Sequence, residues 1–278
     1  GGRQAAGALM LVVAAACALG TNILIARRQP AAHTALLVLA AAAWLAGNAL
    51  FLAGAGAAIP AWFAFLVLTI AAERLEMTRL TRRGRTTQAE LLAIVALMLA
   101  GAGLASTGGA GSTAGLACFG ASLALLSCWL FARDVATRTL RGHGLARYMA
   151  VCLLLGYGWL AAAGLGWAGL AFGRPWRDLA LHALGLGFVV SMMMAHAPVI
   201  LTALTGLRVR YGAAFYLPVA LLQASLCVRL GPGLDDLLWR GIGAFLNAAA
   251  LLAFAATLAI GTARSRARRP ATPLMETP

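Results

Sequence analysis

Residues 181–200 read LHALGLGFVVSMMMAHAPVI, and this stretch decides the fold class. It is almost entirely apolar over about 20 residues, the length at which a helix crosses the hydrocarbon core of a bilayer. It nevertheless contains two histidines, and an imidazole facing lipid is unfavourable. The stretch therefore predicts a transmembrane helix whose histidines face protein.

The whole chain is as apolar as a membrane protein. Of 278 residues, 62% are hydrophobic and 11% charged, whereas soluble domains are about half apolar and a quarter charged. We therefore predict an all-α, polytopic transmembrane bundle. All 22 basic residues are arginine, which is typical of GC-rich bacterial coding. The net charge of +14 is explained by membrane topology, so nucleic acid is not an expected partner.

Nine apolar stretches have the length of a membrane span. We predict spanning helices at about 5–25, 35–56, 60–79, 89–105, 113–132, 148–171, 179–203, 211–229 and 239–262. The bundle then occupies residues 1–263, and residues 264–278 form a basic, proline-containing cytoplasmic tail.

The arginines predict the orientation of these helices. Alternate connectors and the tail carry seventeen arginines on one side of the membrane, against five on the other. The positive-inside rule places the seventeen in the cytoplasm, with the N-terminus outside and the C-terminus inside a bacterial inner membrane. An odd number of helices that starts outside also leads us to expect about three further helices before residue 1.

Two histidines in the seventh helix are the strongest candidate ligands. In a regular α-helix, fourteen residues bring His182 and His196 within about 40° of one face and about 21 Å apart along the axis. Met193 lies on the same stripe. Imidazole and thioether groups ligate haem iron and copper. The alternative is that each histidine forms a hydrogen bond to a neighbouring helix.

The other two histidines are weaker candidates. His33 begins the second helix and His143 lies in an arginine-rich loop, so both are predicted on the same side as His196. Either is a potential partner of His196 or a solvated surface residue. Since neither lies outside to pair with His182, two bis-histidine haems are not expected. Pro198 has no backbone N–H, so the carbonyl of Met194 loses its helical donor.

Charged and polar groups elsewhere have simpler interpretations. Glu73, Glu76, Arg79 and Arg83 are spaced for ion pairs along one helix, or for a network that holds haem propionates or guides protons. Buried amides are predicted to link helices. These amides belong to Asn48, Gln223 and Asn247.

Two further patterns exclude common kinds of site. The stretch GLGWAG (164–169) matches a nucleotide-binding pattern but lies in mid-span without a preceding strand, so we predict close helix packing. The five cysteines lie in apolar runs without a CxxC pair, which indicates neither a disulfide framework nor a zinc site.

One family shares the pattern of the seventh helix. HALGLGFVVSMMMAH (182–196), followed by TALTGLRV (202–209), resembles the NnrS family of bacterial membrane proteins. The resemblance implies a haem- and copper-containing protein of nitric oxide metabolism, with His182 as the motif histidine and His196 as a less certain match. NnrS-like proteins usually have about twelve helices, and four histidines are few for a protein expected to hold both haem and copper.

These observations lead to two functional predictions. The first is an NnrS-like inner-membrane protein that binds b-type haem or copper through His182 and His196, with Met193 and His33 as lesser ligands, in nitric oxide or respiratory redox metabolism. An oxidoreductase step does not follow from the residues. The second is a cofactor-free accessory subunit that contacts lipid and other subunits of a respiratory or photosynthetic complex. A transporter is disfavoured because no internal repeat is visible.

Overall fold

The computed structural model describes residues 2–54, 58–77, 85–206 and 209–266. In these ranges the chain is helical and contains no strand. Nine helices within them are long and apolar enough to cross a membrane. The all-α fold and the predicted number of spans are therefore confirmed, and the chain is a multi-pass membrane protein.

The helices follow one another with short connectors. In chain order they are α1 (Gly2–Arg28), α2 (Ala32–Leu52), α3 (Ala58–Met77), α4 (Arg85–Leu104), α5 (Gly109–Arg133), the short α6 (Ala136–Thr139), α7 (Gly144–Ala171), α8 (Arg177–His182), α9 (Ser191–Thr205), α10 (Tyr216–Leu230) and α11 (Leu237–Arg266). A π-helix, Ala183–Val190, connects α8 to α9, so the seventh span runs Arg177–Leu204.

Helix ends differ from the prediction by a few residues. The first helix continues through Arg28 instead of ending near residue 25, because arginine keeps a helical backbone while its guanidinium extends to the interface. The second ends at Leu52 instead of residue 56. The predicted tail begins within α11, and its residues 267–278 lie outside the described part of the chain.

The chain forms two compact units. Unit 1 comprises Gly1–Thr137 and Leu154–Val190, and unit 2 comprises Arg138–Leu153 and Ser191–Pro278. In unit 1, α1 packs on α2, α2 on α3 and α4 on α5; in unit 2, α10 packs on α11. Fully buried side chains form the core of each unit. They include Leu68, Phe119, Leu123 and Leu160 in unit 1, and Tyr148, Met194, Leu222 and Leu226 in unit 2.

Three amide side chains connect neighbouring helices, as predicted. The amide of Asn48 donates to the carbonyl of Leu11 at 3.0 Å and accepts from Trp62 Nε1 at 2.9 Å, which links α1, α2 and α3. In unit 2, Gln223 donates to the hydroxyl of Ser191 at 3.4 Å, and the Ser225 hydroxyl donates to Asn247. Within lipid such bonds add to van der Waals packing, since apolar side chains gain little by association there.

Glycines bring α5 and α7 into backbone contact in unit 1. A Cβ added to Gly164 would lie 2.7 Å from the carbonyl oxygen of Gly120 and 2.8 Å from the amide nitrogen of Ala124. A Cβ on Gly166 would lie 2.8 Å from the backbone of Ala180. The stretch 164–169 therefore serves close helix packing, as its sequence context indicated.

The π-helix changes the geometry expected for the seventh span. Gly187 lies against Trp159, and an added Cβ would come 2.4 Å from the indole. A π-helix pairs residues i and i+5 and has a wider turn than an α-helix. The assumption of a regular α-helix between His182 and His196 is therefore wrong for Ala183–Val190, and the separation of about 40° does not apply.

We expect Gly164→Val to destabilise the protein strongly, because the new side chain would overlap backbone atoms of α5 that cannot move aside. Gly158→Val on the same helix is the matched control, since nothing lies within 4 Å of its Cβ position. The measurement is the thermal unfolding midpoint in detergent, with size-exclusion profiles. Equal midpoints for the two variants would contradict the packing described.

Candidate functional site

A buried ion pair joins α3 to the end of α5 in unit 1. Arg74 Nε donates to Asp134 Oδ2 at 2.8 Å, and Arg74 Nη2 donates to Asp134 Oδ1 at 3.1 Å. The two side chains are only 4% and 1% exposed. This is a bidentate pair, in which the planar guanidinium fits the geometry of the carboxylate. The two hydrogen bonds offset part of the free-energy cost of burying both charges.

The chain around Asp134 holds its carboxylate in place. Asp134 follows α5, and its Oδ1 also accepts the backbone N–H of Ala136 at 2.7 Å, at the start of α6. Tyr157 of α7 is fully buried beside the pair. Its backbone carbonyl accepts the hydroxyl of Ser127 at 2.7 Å. The site thus combines charges from α3 and α5 with a phenol from α7.

A second contact in unit 1 involves a predicted ligand. His33 Nδ1 lies 2.9 Å from Glu76 Oε2, with both side chains partly exposed. The sequence led us to pair Glu73 and Glu76 with Arg79 and Arg83, but those two arginines lie outside the described residues. His33 therefore has a carboxylate neighbour that spacing along one helix did not predict.

His182 is oriented by the residue one turn earlier. Its Nδ1 lies 3.0 Å from the backbone carbonyl oxygen and 3.1 Å from Oδ1 of Asp178. Both oxygens accept hydrogen bonds, so a neutral imidazole carries its proton on Nδ1 and its lone pair on Nε2. Asp178 lies in the first turn of α8, where the helix dipole favours a negative charge.

His196 has the same tautomer but is more deeply buried. Its Nδ1 lies 2.8 Å from the carbonyl oxygen of Met192, and the residue is 5% exposed. Met193, the predicted thioether ligand, is 58% exposed, whereas Met192 and Met194 are buried. The helix therefore directs the side chain of Met193 away from the interior of unit 2.

No three side chains of the metal-ligating types His, Cys, Asp and Glu come together among the residues that the structure describes. A copper site built from three such ligands has no match there. A haem iron needs only one or two protein ligands. A single imidazole nitrogen of His182 or of His196 is enough to meet that need.

In unit 2 a tyrosine donates the hydrogen bond that Pro198, which has no backbone N–H, cannot donate. The hydroxyl of Tyr148 donates to the carbonyl of Met194 at 3.2 Å. This is the carbonyl that the sequence predicts to lack its helical donor, because residue 198 is proline. The sequence indicated that the carbonyl needed a donor, but it did not indicate which residue supplies one.

Aromatic rings enclose Tyr148. The rings of Tyr211, Phe215 and Tyr216 lie 5.4–5.8 Å from it, centroid to centroid. Burial raises the pKa of Tyr211, which lies just before the eighth span, to about 12. Tyr211 therefore stays neutral at physiological pH. The cluster closely packs Tyr148 and gives its hydroxyl a defined position.

Comparison with known proteins gives a family without an assigned activity. The sequence profile described as "Domain of unknown function (DUF8744)" matches residues 1–263. The chain belongs to this family. No curated protein and no solved structure matches the chain. The matched range contains the ion pair, the contact between His33 and Glu76, and both membrane histidines.

We expect Asp134→Ala to destabilise the DUF8744 protein by about 3–5 kcal/mol, because it leaves the buried charge of Arg74 unpaired. The double variant Arg74→Met/Asp134→Leu removes both charges and should recover much of that loss. Equilibrium unfolding in mixed detergent micelles measures both effects.

The matched control for this ion pair is Glu90→Ala. It breaks the contact of Glu90 with Arg133 at 3.2 Å, in which each side chain is 44% exposed. Its cost should stay below about 1 kcal/mol. If Asp134→Ala and Glu90→Ala had equal effects, the buried pair would not have the role described.

Tyr148 and Pro198 are expected to be energetically coupled. We expect Tyr148→Phe to cost about 1 kcal/mol, because the carbonyl of Met194 loses its donor. In a Pro198→Ala background the helical N–H of residue 198 is restored, so the same change should cost much less. A double-mutant cycle of unfolding free energies measures this coupling, and additive costs would contradict it.

Proposed function

We propose that this DUF8744 protein is a haem-binding protein of the bacterial inner membrane that serves nitric oxide or respiratory redox metabolism. The proposed ligand atom is Nε2 of His182. The observation that carries the proposal is the double contact of His182 Nδ1 with the carbonyl and carboxylate of Asp178, at 3.0 and 3.1 Å. Histidines that ligate metals usually donate their other ring N–H to such an acceptor.

Two further features support the choice of His182. The π-helix Ala183–Val190 begins directly after it, and π-helical segments are frequent at functional sites. The same segment carries the resemblance to the NnrS family. His196 is the second candidate, because the carbonyl of Met192 fixes the same tautomer. Met193 and His33 rank below them, since Met193 is exposed and His33 lies in the first turn of α2, at the end of a span.

The residues of this chain would perform a limited task in such a site. Asp178 keeps the proton on Nδ1, fixes the ring orientation and increases the basicity of Nε2. A haem held by His182 would supply an iron centre for electron exchange or for binding a small gas. Copper at His182 and His196 stays a prediction, and the described residues hold no group of three His, Cys, Asp or Glu side chains.

The test is the absorption spectrum of the protein purified from haem-producing cells and titrated with haem. We expect a Soret band that His182→Ala abolishes. Asp178→Ala should weaken haem affinity by roughly 10- to 100-fold, as loss of a residue that orients a ligand does. His143→Ala is the matched control and should leave the band unchanged, because His143 lies between α6 and α7.

A colourless protein that stays colourless after haem addition would overturn the proposal. It would favour the second candidate function, a cofactor-free accessory subunit of a respiratory or photosynthetic complex. The observation that favours this candidate is the large exposed apolar surface of α1 and α11, which includes Leu9, Met10, Phe245 and Leu252. Co-purification of stoichiometric membrane subunits would then distinguish it from a protein that contacts lipid alone.

A further inference from the structure

A cavity of about 450 Å³ lies at one end of unit 1, within the range of about 300–1,000 Å³ typical of small-molecule sites. It forms where α3 and α5 begin and where α4 and α7 end. The positive-inside rule assigns this end of the helices to the outer surface of the membrane. The cavity is therefore at the depth where lipid headgroups meet acyl chains.

Most of the cavity wall is apolar. Pro60, Leu116, Leu170 and Leu181 contribute to it, together with the indole of Trp167. Phe119 packs edge-on against this indole, with 5.1 Å between ring centroids, and fixes its position. A wall of this composition accepts an acyl chain more readily than a small hydrophilic solute.

One polar feature of the wall points to an anionic group on the ligand. Arg177 is the single charged residue that lines the cavity among the described residues, and it is exposed. Trp167 is only 4% exposed, and its indole N–H has no acceptor in the described part of the chain. A buried donor without an acceptor is unfavourable.

We propose that this cavity binds an anionic phospholipid of the outer leaflet. The headgroup phosphate contacts the guanidinium of Arg177, and the first part of one acyl chain lies along Leu116, Leu170 and Leu181. The remainder of the lipid stays in the bilayer, because the cavity is smaller than a whole phospholipid. The charge of Arg177 favours a lipid with a net negative headgroup over a zwitterionic one.

The carboxylate of the residue after Arg177 is directed toward a histidine. Asp178 is absent from the cavity wall, and its carboxylate contacts His182. No histidine lines the cavity among the described residues, so the phospholipid site is separate from the haem site proposed at His182. The two proposals can fail independently, because the haem site is tested by a Soret band and the phospholipid site by tryptophan quenching.

The test is tryptophan quenching by phospholipids brominated on the acyl chain, added to the full chain in detergent micelles. We expect brominated phosphatidylglycerol to quench at a lower mole fraction than brominated phosphatidylcholine. Trp167→Phe should remove the saturable part of the quenching, leaving that of the other six tryptophans. Arg177→Gln should weaken binding of phosphatidylglycerol about fivefold and leave phosphatidylcholine unchanged.

Arg174→Gln is the matched control, because Arg174 is exposed three residues earlier and does not line the cavity. It should bind phosphatidylglycerol like the unmodified protein. Thermal unfolding shows whether each variant is folded. The proposal is overturned if Arg177→Gln and Arg174→Gln behave alike, if Trp167→Phe leaves the quenching unchanged, or if soluble glycerol phosphate competes as well as the lipid.

Discussion

The structure of unit 1 depends on one constraint: two opposite charges are buried between helices that lie in a membrane. Arg74 and Asp134 are each costly to remove from water, and removing them separately would leave an unpaired charge where solvent cannot compensate it. Both oxygens of the Asp134 carboxylate therefore accept a hydrogen bond from the guanidinium of Arg74. This requirement fixes the end of α5 against α3 more strictly than apolar contact alone.

Apolar packing in a bilayer gives little specificity, because lipid tails are as apolar as leucine. Specific contacts within each unit instead come from a few polar groups and from glycine. Asn48 connects three helices, and Gly164 lets two backbones touch. The remaining helix surface makes no specific polar contact and can be apolar throughout. The long exposed apolar faces of α1 and α11 agree with this.

Much of this fold could be predicted from composition, because hydropathy and length report directly on helices that cross a membrane. The linking role of Asn48 and the open carbonyl of Met194 also follow from local chemistry. The pair of Arg74 and Asp134 does not, since its members are 60 residues apart and only the three-dimensional fold brings them together. Spacing arguments instead favoured Arg79 and Arg83, which lie nearer in sequence to Glu73 and Glu76. The π-helix Ala183–Val190 was not predicted, because an unbroken apolar stretch does not distinguish π-helical from α-helical turns.

The hydrogen bond between Tyr148 and Met194 has a consequence for biogenesis. A ribosome delivers α7 to the membrane before α9, so Tyr148 is already inserted when the segment with Pro198 arrives. A backbone carbonyl without a donor is expensive in the hydrocarbon core. The order of synthesis therefore places the donor in the bilayer first, and the proline-containing helix enters a membrane in which its missing hydrogen bond can be completed at once.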